Sequence, residues 1–296
     1  MVRTTDALEL PCRLKGKFRI KGSKATNPVV VGDKVDVIFQ DEEQTGIIES
    51  IKSRRNYIVR RATKLSRQSH VIAANLDQAC LIVTLAFPRT STGFIDRFLI
   101  TSEAYHIPAA IIFNKLDIYD DQSLSQLEEL TAIYSSAGYP CVSVSALRGD
   151  NLDRLHSLLA GKINLLSGHS GVGKTELINA IIPGLNLRTR KLSAFHQKGM
   201  HTTTFAEMFP LSNGGFIIDT PGIREFGLYD FKPEEIAERY PEMRQWMHLC
   251  KYYNCTHVHE PGCAVKEAVN SGKIPLSRYQ NYLNILQDDD ILKNDH

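Results

Sequence analysis

Gly168-His169-Ser170-Gly171-Val172-Gly173-Lys174-Thr175 fits the pattern GxxxxGK[ST]. It follows an apolar run at residues 163–166 and opens a helical stretch at 174–182, the strand–loop–helix context a phosphate loop requires. Glycines there let backbone N–H groups approach phosphate oxygens, and the helix N-terminus adds positive potential. Gly168, Ser170, Gly171, Val172 and Gly173 are expected to form the cradle, with Glu176 just behind it. Lys174 is expected to reach the β- and γ-phosphates and Thr175 to offer its hydroxyl to Mg²⁺. The motif alone says only "nucleoside triphosphate".

Outward from this loop, apolar runs of strand length (79–85, 109–113, 141–144, 163–167, 216–219) alternate with helical stretches (95–105, 123–137, 152–159, 174–182). That rhythm predicts a mainly parallel sheet with helices on both faces. Upstream, residues 8–14, 29–39, 46–51 and 56–61 read as short strands separated by Gly32-Asp33 and Gln44-Thr45-Gly46. They predict a small OB-like β-barrel. Such a barrel has five strands and four are evident, so the first is expected to be short or absent. After about residue 228 the chain reads as helices around a Cys/His cluster. The expected division is a barrel at 1–62, a nucleotide-binding domain at 63–227 and a helical metal-binding domain at 228–296.

Asn114-Lys115-Leu116-Asp117 follows the apolar run 109–113 and matches NKxD. An Asp carboxylate at a strand's carboxyl end can accept hydrogen bonds from the ring N–H and exocyclic amine of guanine. Adenine would leave that carboxylate unpaired, which gives large discrimination. Asn114 can tie the loop together, and the Lys115 stem can lie along the ring. Ser145-Ala146-Leu147, one βα unit later, can donate a backbone N–H to the guanine carbonyl. Asp219-Thr220-Pro221-Gly222 ends the run 216–219. Asp219 can hold Mg²⁺ through water, and the Gly222 N–H can sense the γ-phosphate. Between these lies a polar, basic tract, 188–204, expected to be a loop; it contains His201-Thr202-Thr203-Thr204. A threonine there can complete the Mg²⁺ shell, with Thr203 favoured among its neighbours. Each short motif alone also reads as a polar turn; together they form a complete guanine-nucleotide set.

The order of the set is permuted, because NKxD and SAL precede the phosphate loop. A fold whose termini lie close together tolerates such a rearrangement. It also places the segment after Gly222 directly before the C-terminal region, so loss of the γ-phosphate could pass straight to the following domain. Ile223 occupies the place where a water-orienting Gln is common, and it cannot hydrogen-bond water. Slow intrinsic hydrolysis is expected, with His201 as the candidate for positioning water; a solvent-facing loop histidine is the competing reading.

Cys250-x4-Cys255-x-His257-x5-Cys263 offers three thiolates and an imidazole, the donor set of a closed structural zinc site. His248 and His259 are nearby alternatives to His257. The chain is 43% hydrophobic and 23% charged with a net charge of +2, so overall charge does not announce a nucleic-acid binder. Its cations concentrate at 13–24 and 52–67, the candidates for facing RNA, with solvated barrel loops as the alternative. No apolar run approaches the ~20 residues of a membrane span, and residues 1–10 lack a signal pattern, so a cytoplasmic protein with no membrane partner is expected.

The order NKxD, SAL, GHSGVGKT, HTTT, DTPG and Cys-x4-Cys-x-His-x5-Cys resembles the ribosome small subunit-dependent GTPase family (RsgA, YjeQ). The resemblance extends into the barrel through Val31-Gly32-Asp33, Arg54-Arg55-Asn56 and the run 72–78. It implies an OB-like barrel, a circularly permuted GTPase domain and a C-terminal zinc domain. It also implies GTP hydrolysis stimulated by the small ribosomal subunit, rRNA contact and a role in late subunit maturation; release on hydrolysis and action as a monomer are expected besides. Two other classes remain open on the residues alone: a metabolic P-loop kinase, and an RNA-binding protein with a decayed nucleotide site.

Overall fold

The structure is a computed structural model that describes residues 1–16, 28–61, 69–185, 187, 206–219 and 232–287. After a two-residue pair, β1 (Val2–Arg3) and β2 (Glu9–Leu10), the N-terminal region builds five strands. These are β3 (Cys12–Leu14), β4 (Val35–Gln40), β5 (Thr45–Ile51), β6 (Tyr57–Arg61) and β7 (Ser69–Ala74). They form a three-stranded sheet, β3-β5-β4, and an antiparallel pair, β6-β7. The bridge Val31–Ala73 links the second sheet to the segment leading into β4. Beyond the four strand runs read from the sequence, the described residues add β7. Its pairing with β6 runs across residue 62.

The central sheet has the order β10-β9-β8-β11-β13-β12, with β8 (Gln78–Val83), β9 (Ala109–Phe113), β10 (Cys141–Ser143), β11 (Ile163–Ser167), β12 (Glu207–Pro210) and β13 (Phe216–Asp219). All neighbours are parallel except the edge pair β12–β13. β8 and β9 are buried along their whole length, which is why they read as unbroken apolar runs. On β8, Ala79, Leu81 and Val83 pack on one face, against α1 (Thr92–Ala104) and α2 (Asp121–Ser136). Cys80 and Ile82 pack on the other, against α3 (Leu152–Leu159) and α4 (Lys174–Ile181).

The chain moves outward from β8 to β10 and then returns past β8 to β11. The sheet thus reverses direction between β8 and β11, which is where an open α/β sheet forms its ligand crevice. The C-terminal region comprises α5 (Pro233–Ala237), α6 (Pro241–Met247), α7 (Ala264–Asn270) and α8 (Leu276–Leu286). It has its own core around Tyr240, Met243, Tyr282 and Ile285, and that core also takes in Ile100 of α1. Among the described residues no helix is long and apolar enough to cross a membrane.

Candidate nucleotide site and metal centre

The carboxyl ends of β8, β9, β10, β11 and β13 lie side by side, so the loops carrying NKLD, SAL, the phosphate loop and Asp219 meet at one edge of the sheet. Asn114 joins three of them. Its side chain, 1% exposed, donates from Nδ2 to the Val172 carbonyl at 2.9 Å. Its Oδ1 accepts from the Ala146 N–H at 3.2 Å. The Ala146 N–H, one of the backbone donors of the SAL loop, is thus directed to Asn114 in this structure. Gly173 has φ +86°, and a Cβ there would lie 2.5 Å from Asn114 Nδ2. The third glycine of the loop is therefore required by the asparagine of the other motif.

Asp117 accepts from Ser145 Oγ at 2.5 Å through Oδ1, and Ser145 Oγ itself accepts from the Arg148 N–H at 3.0 Å. The Arg148 guanidinium donates to the Asp117 carbonyl at 3.1 Å. Lys115 takes a left-handed backbone, φ 66° and ψ 36°, and its Nζ donates to the Phe87 carbonyl at 2.6 Å. Tyr119 spans the loop: its hydroxyl donates to the Asn114 carbonyl at 2.7 Å and accepts from the Leu85 N–H at 2.9 Å. Burial pushes the Tyr119 phenol up to about 12, so it stays a donor at any physiological pH. Sequence reasoning missed Tyr119, Arg148 and the 84–90 loop. Their partners are mainly main-chain atoms of other loops, which no motif records.

At the phosphate loop, α1 and α2 start with side-chain caps from Ser91 and Asp120, whereas α4 starts at Gly173 with no side-chain cap. The first N–H groups of α4 are thus not taken by a capping side chain, as an anion-binding helix start requires. Ser170 and Glu176 are exposed and Thr175 is half-buried. Lys174 Nζ lies 2.6 Å from Asp219 Oδ1, bringing together the residues expected at the phosphates and at Mg²⁺. Asp219, and Thr175 next to Lys174 in the chain, carry the hard oxygen atoms that Mg²⁺ prefers. His169 stacks on Phe94 of α1 with ring centroids 3.6 Å apart, and burial lowers its pKa. His201, Thr203, Gly222 and Ile223 lie outside the described residues.

Cys250, Cys255, His257 and Cys263 converge with their ligand atoms all within 4.8 Å of one another. His257 Nδ1 is 3.6 Å from Cys250 Sγ and 3.4 Å from Cys263 Sγ, and those two sulfurs are 4.0 Å apart. Ligands at about 2.3 Å around a tetrahedral zinc ion stand about 3.7 Å apart, so the cluster fits a structural Cys3His site. His257 is the imidazole in the set. Tyr279 and Tyr282 of α8 donate their hydroxyls to the carbonyls of His257 and Thr256, at 2.7 and 2.5 Å. Both hydroxyls serve the metal loop.

The basic stretches are less available than their composition implies. Arg54 forms a two-pronged ion pair with Asp33, and Arg55 reaches Asp77 and the Leu76 carbonyl. Arg13, Lys15 and Lys52 pair with Glu43, Glu49 and Asp36. Residues 17–24 and 62–67 of these stretches lie outside the described residues.

Comparison with known proteins agrees with this geometry. The family model described as RsgA GTPase matches residues 51–229. The small ribosomal subunit biogenesis GTPase RsgA of Bacteroides fragilis (strain YCH46) is 52% identical over 287 residues, 97% of this chain and 92% of the relative. The protein of the same name from Porphyromonas gingivalis (strain ATCC 33277) is 51% identical over 293 residues, 98% of this chain and 93% of the relative. The crystal structure of YjeQ from Thermotoga maritima superposes with a TM-score of 0.76 at 38% identity, covering 93% of this chain and 88% of that one. YloQ, whose structure is described as a circularly permuted GTPase, gives 0.72 at 30% identity, covering 94% and 85%.

Proposed function

The chain belongs to the RsgA GTPase family, and we propose that it hydrolyses GTP in the crevice at the carboxyl edge of its sheet while bound to the small ribosomal subunit. It acts there as a late maturation factor, contacts rRNA, and leaves when GTP becomes GDP. The observation that carries the nucleotide reading is the Asn114 amide, which hydrogen-bonds to both the phosphate loop and the SAL loop.

The residues divide the work by chemistry. Asp117 reads the guanine edge, with Ser145 holding one carboxylate oxygen so that the other faces the base. Lys115 lies along the ring, and Ala146 belongs to the wall at the base carbonyl. Gly168, Ser170, Gly171, Val172 and Gly173 present backbone N–H groups to the phosphates, and Glu176 follows on the first turn of α4. Lys174 neutralises the β- and γ-phosphates. Thr175, Asp219 and Thr203 would hold Mg²⁺, which would supply screening of the charge that develops on the phosphates. The Gly222 N–H senses the γ-phosphate, and His201 positions the attacking water. Zinc at Cys250, Cys255, His257 and Cys263 has a structural role. The chain divides into an N-terminal barrel that takes in β7, a permuted GTPase domain that ends near 227 and a zinc domain at 228–296. It works as a cytoplasmic monomer without a membrane partner.

The test is GTP turnover with and without purified small ribosomal subunits. The proposal expects slow turnover alone and stimulation by at least tenfold with the subunit. Equal rates in the two conditions contradict it.

A further inference from the structure

The loop after β8 touches both reading motifs of the crevice, yet its most prominent side chain has no role in the account above. The Phe87 carbonyl accepts the Lys115 Nζ hydrogen bond at 2.6 Å. The next residue, Pro88, abuts the phosphate loop: a Cβ on Gly171 would lie 3.4 Å from its Cδ. The neck of the loop is stapled by threonines. The Thr84 N–H donates to Thr90 Oγ1 at 3.2 Å, the Thr90 N–H donates to the Thr84 carbonyl at 2.8 Å, and Thr84 Oγ1 donates to the Pro88 carbonyl.

At the tip, Phe87 has φ 37°, in the left-handed region that a bulky aromatic residue rarely enters, and its side chain is 83% exposed. Single exposed apolar residues are ordinary. What distinguishes this one is its address. Its main chain is fixed to the head of the lysine proposed to lie along the base, and its neighbour Pro88 stands beside Gly171 of the phosphate loop. A strained backbone persists where surrounding bonds over-determine it, and it then aims a side chain that a relaxed loop would not.

We infer that Phe87 is a nucleotide-binding residue, whose ring packs on the nucleoside end of the bound guanine nucleotide beside Lys115. The inference rests on the nucleotide reading of the crevice and adds a contact that NKxD, SAL and the phosphate loop do not contain. An aromatic ring needs no hydrogen bond to hold a purine or ribose face, so the contact adds affinity while Asp117 supplies the base selectivity. GDP and GTP share the nucleoside, so both should depend on Phe87 equally.

The experiment is calorimetric titration of the full chain with GDP, with a non-hydrolysable GTP analogue, and with guanosine. It compares wild type with Phe87→Ala and Phe87→Leu, and thermal melting runs in parallel. The expected result for Phe87→Ala is a Kd raised about tenfold for all three ligands. The melting temperature should stay unchanged, because the ring is exposed, and Phe87→Leu should recover part of the loss. Affinities within twofold of wild type overturn the inference. Loss confined to the triphosphate also overturns it, because that would place the ring at the γ-phosphate. A wild-type chain that binds no GDP would remove the nucleotide reading and this inference together, whereas wild-type binding with an unaffected variant removes the inference alone.

Discussion

Asn114 shows how a single amide can hold two motifs that lie far apart in the chain. Val172 is 58 residues away and Ala146 is 32 residues away. In Asn114→Ala the buried Val172 carbonyl and the Ala146 N–H lose their partner, a loss of roughly 1–3 kcal/mol. The account predicts a GDP Kd raised tenfold or more by calorimetry, with secondary structure retained. The type and position of Asn114, Lys115 and Asp117 were legible because they sit in an unbroken run beside an apolar strand. Tyr119, two residues further on, was not, because its hydroxyl serves the Asn114 carbonyl and the Leu85 N–H, and a tyrosine carries no local sign of its partner. The same limit applies to Arg54 and Arg55. Their spacing in the chain reads as a basic patch, but Asp33 and Asp77, 21 and 22 residues distant, engage their charges. Exposed pairs such as Arg13–Glu43 contribute little to stability, so phosphate can displace their partners. The paired Arg54, with Asp33 nearly inaccessible, is a structural cation.

Among the elements, the parallel strands were legible because burial on both faces keeps β8 and β9 almost wholly apolar, and in β11 a single buried asparagine, Asn164, interrupts the run without ending it. β7 was not, since its six residues carry Ser69 and His70 before the apolar Val71–Ala74, which masks any alternation. The metal loop was legible from cysteine spacing, and its structure shows what supports it. Glu260 is pushed up by partial burial, but hydrogen bonds from the Thr256 hydroxyl and from backbone N–H groups outweigh this and hold it down to about 2. It therefore remains a carboxylate that organises the turn around His257. The Cys255 thiol is pushed up to about 12, mainly by burial. Zinc must displace that proton, so zinc affinity falls as pH falls. Cys255→Ser is predicted to lose the single zinc ion per chain, measured by atomic absorption, and to melt the C-terminal region at lower temperature. A variant with full zinc content and wild-type melting contradicts the Cys3His assignment.

Across the whole molecule, one buried cation ties the C-terminal helices to α1, which packs on the central sheet. Arg278 of α8 is 1% exposed, and its guanidinium reaches Asp96 of α1 at 2.5 Å and Glu242 of α6 at 2.6 Å. Asp96 also accepts from Asn281 at 2.7 Å and from Tyr134 of α2 at 2.9 Å. The residues are 182 positions apart, and nothing local in the sequence announces the pair. α8 thus holds α1 with one set of side chains and the metal loop with another, Tyr279 and Tyr282. The permutation directs the segment after Gly222 toward this region, and the Arg278 network gives the same region a second attachment to the GTPase core. Arg278→Met leaves two carboxylates buried without their cation and is predicted to cost about 3–5 kcal/mol in urea denaturation. The pair Asp96→Asn with Arg278→Met should cost less than the sum of the single changes.

All of this presumes that the motif ahead of the phosphate loop reads guanine in the same crevice, and Asp117→Asn tests that most directly. Replacing the carboxylate by an amide places a donor where an acceptor met the exocyclic amine of guanine. The variant then suits xanthine, which carries a carbonyl at that position. Binding of GDP and of xanthosine diphosphate is measured by calorimetry on wild type and variant. The account predicts that the variant loses GDP affinity by about a hundredfold or more and gains measurable affinity for xanthosine diphosphate. A variant that binds GDP as tightly as wild type would contradict it.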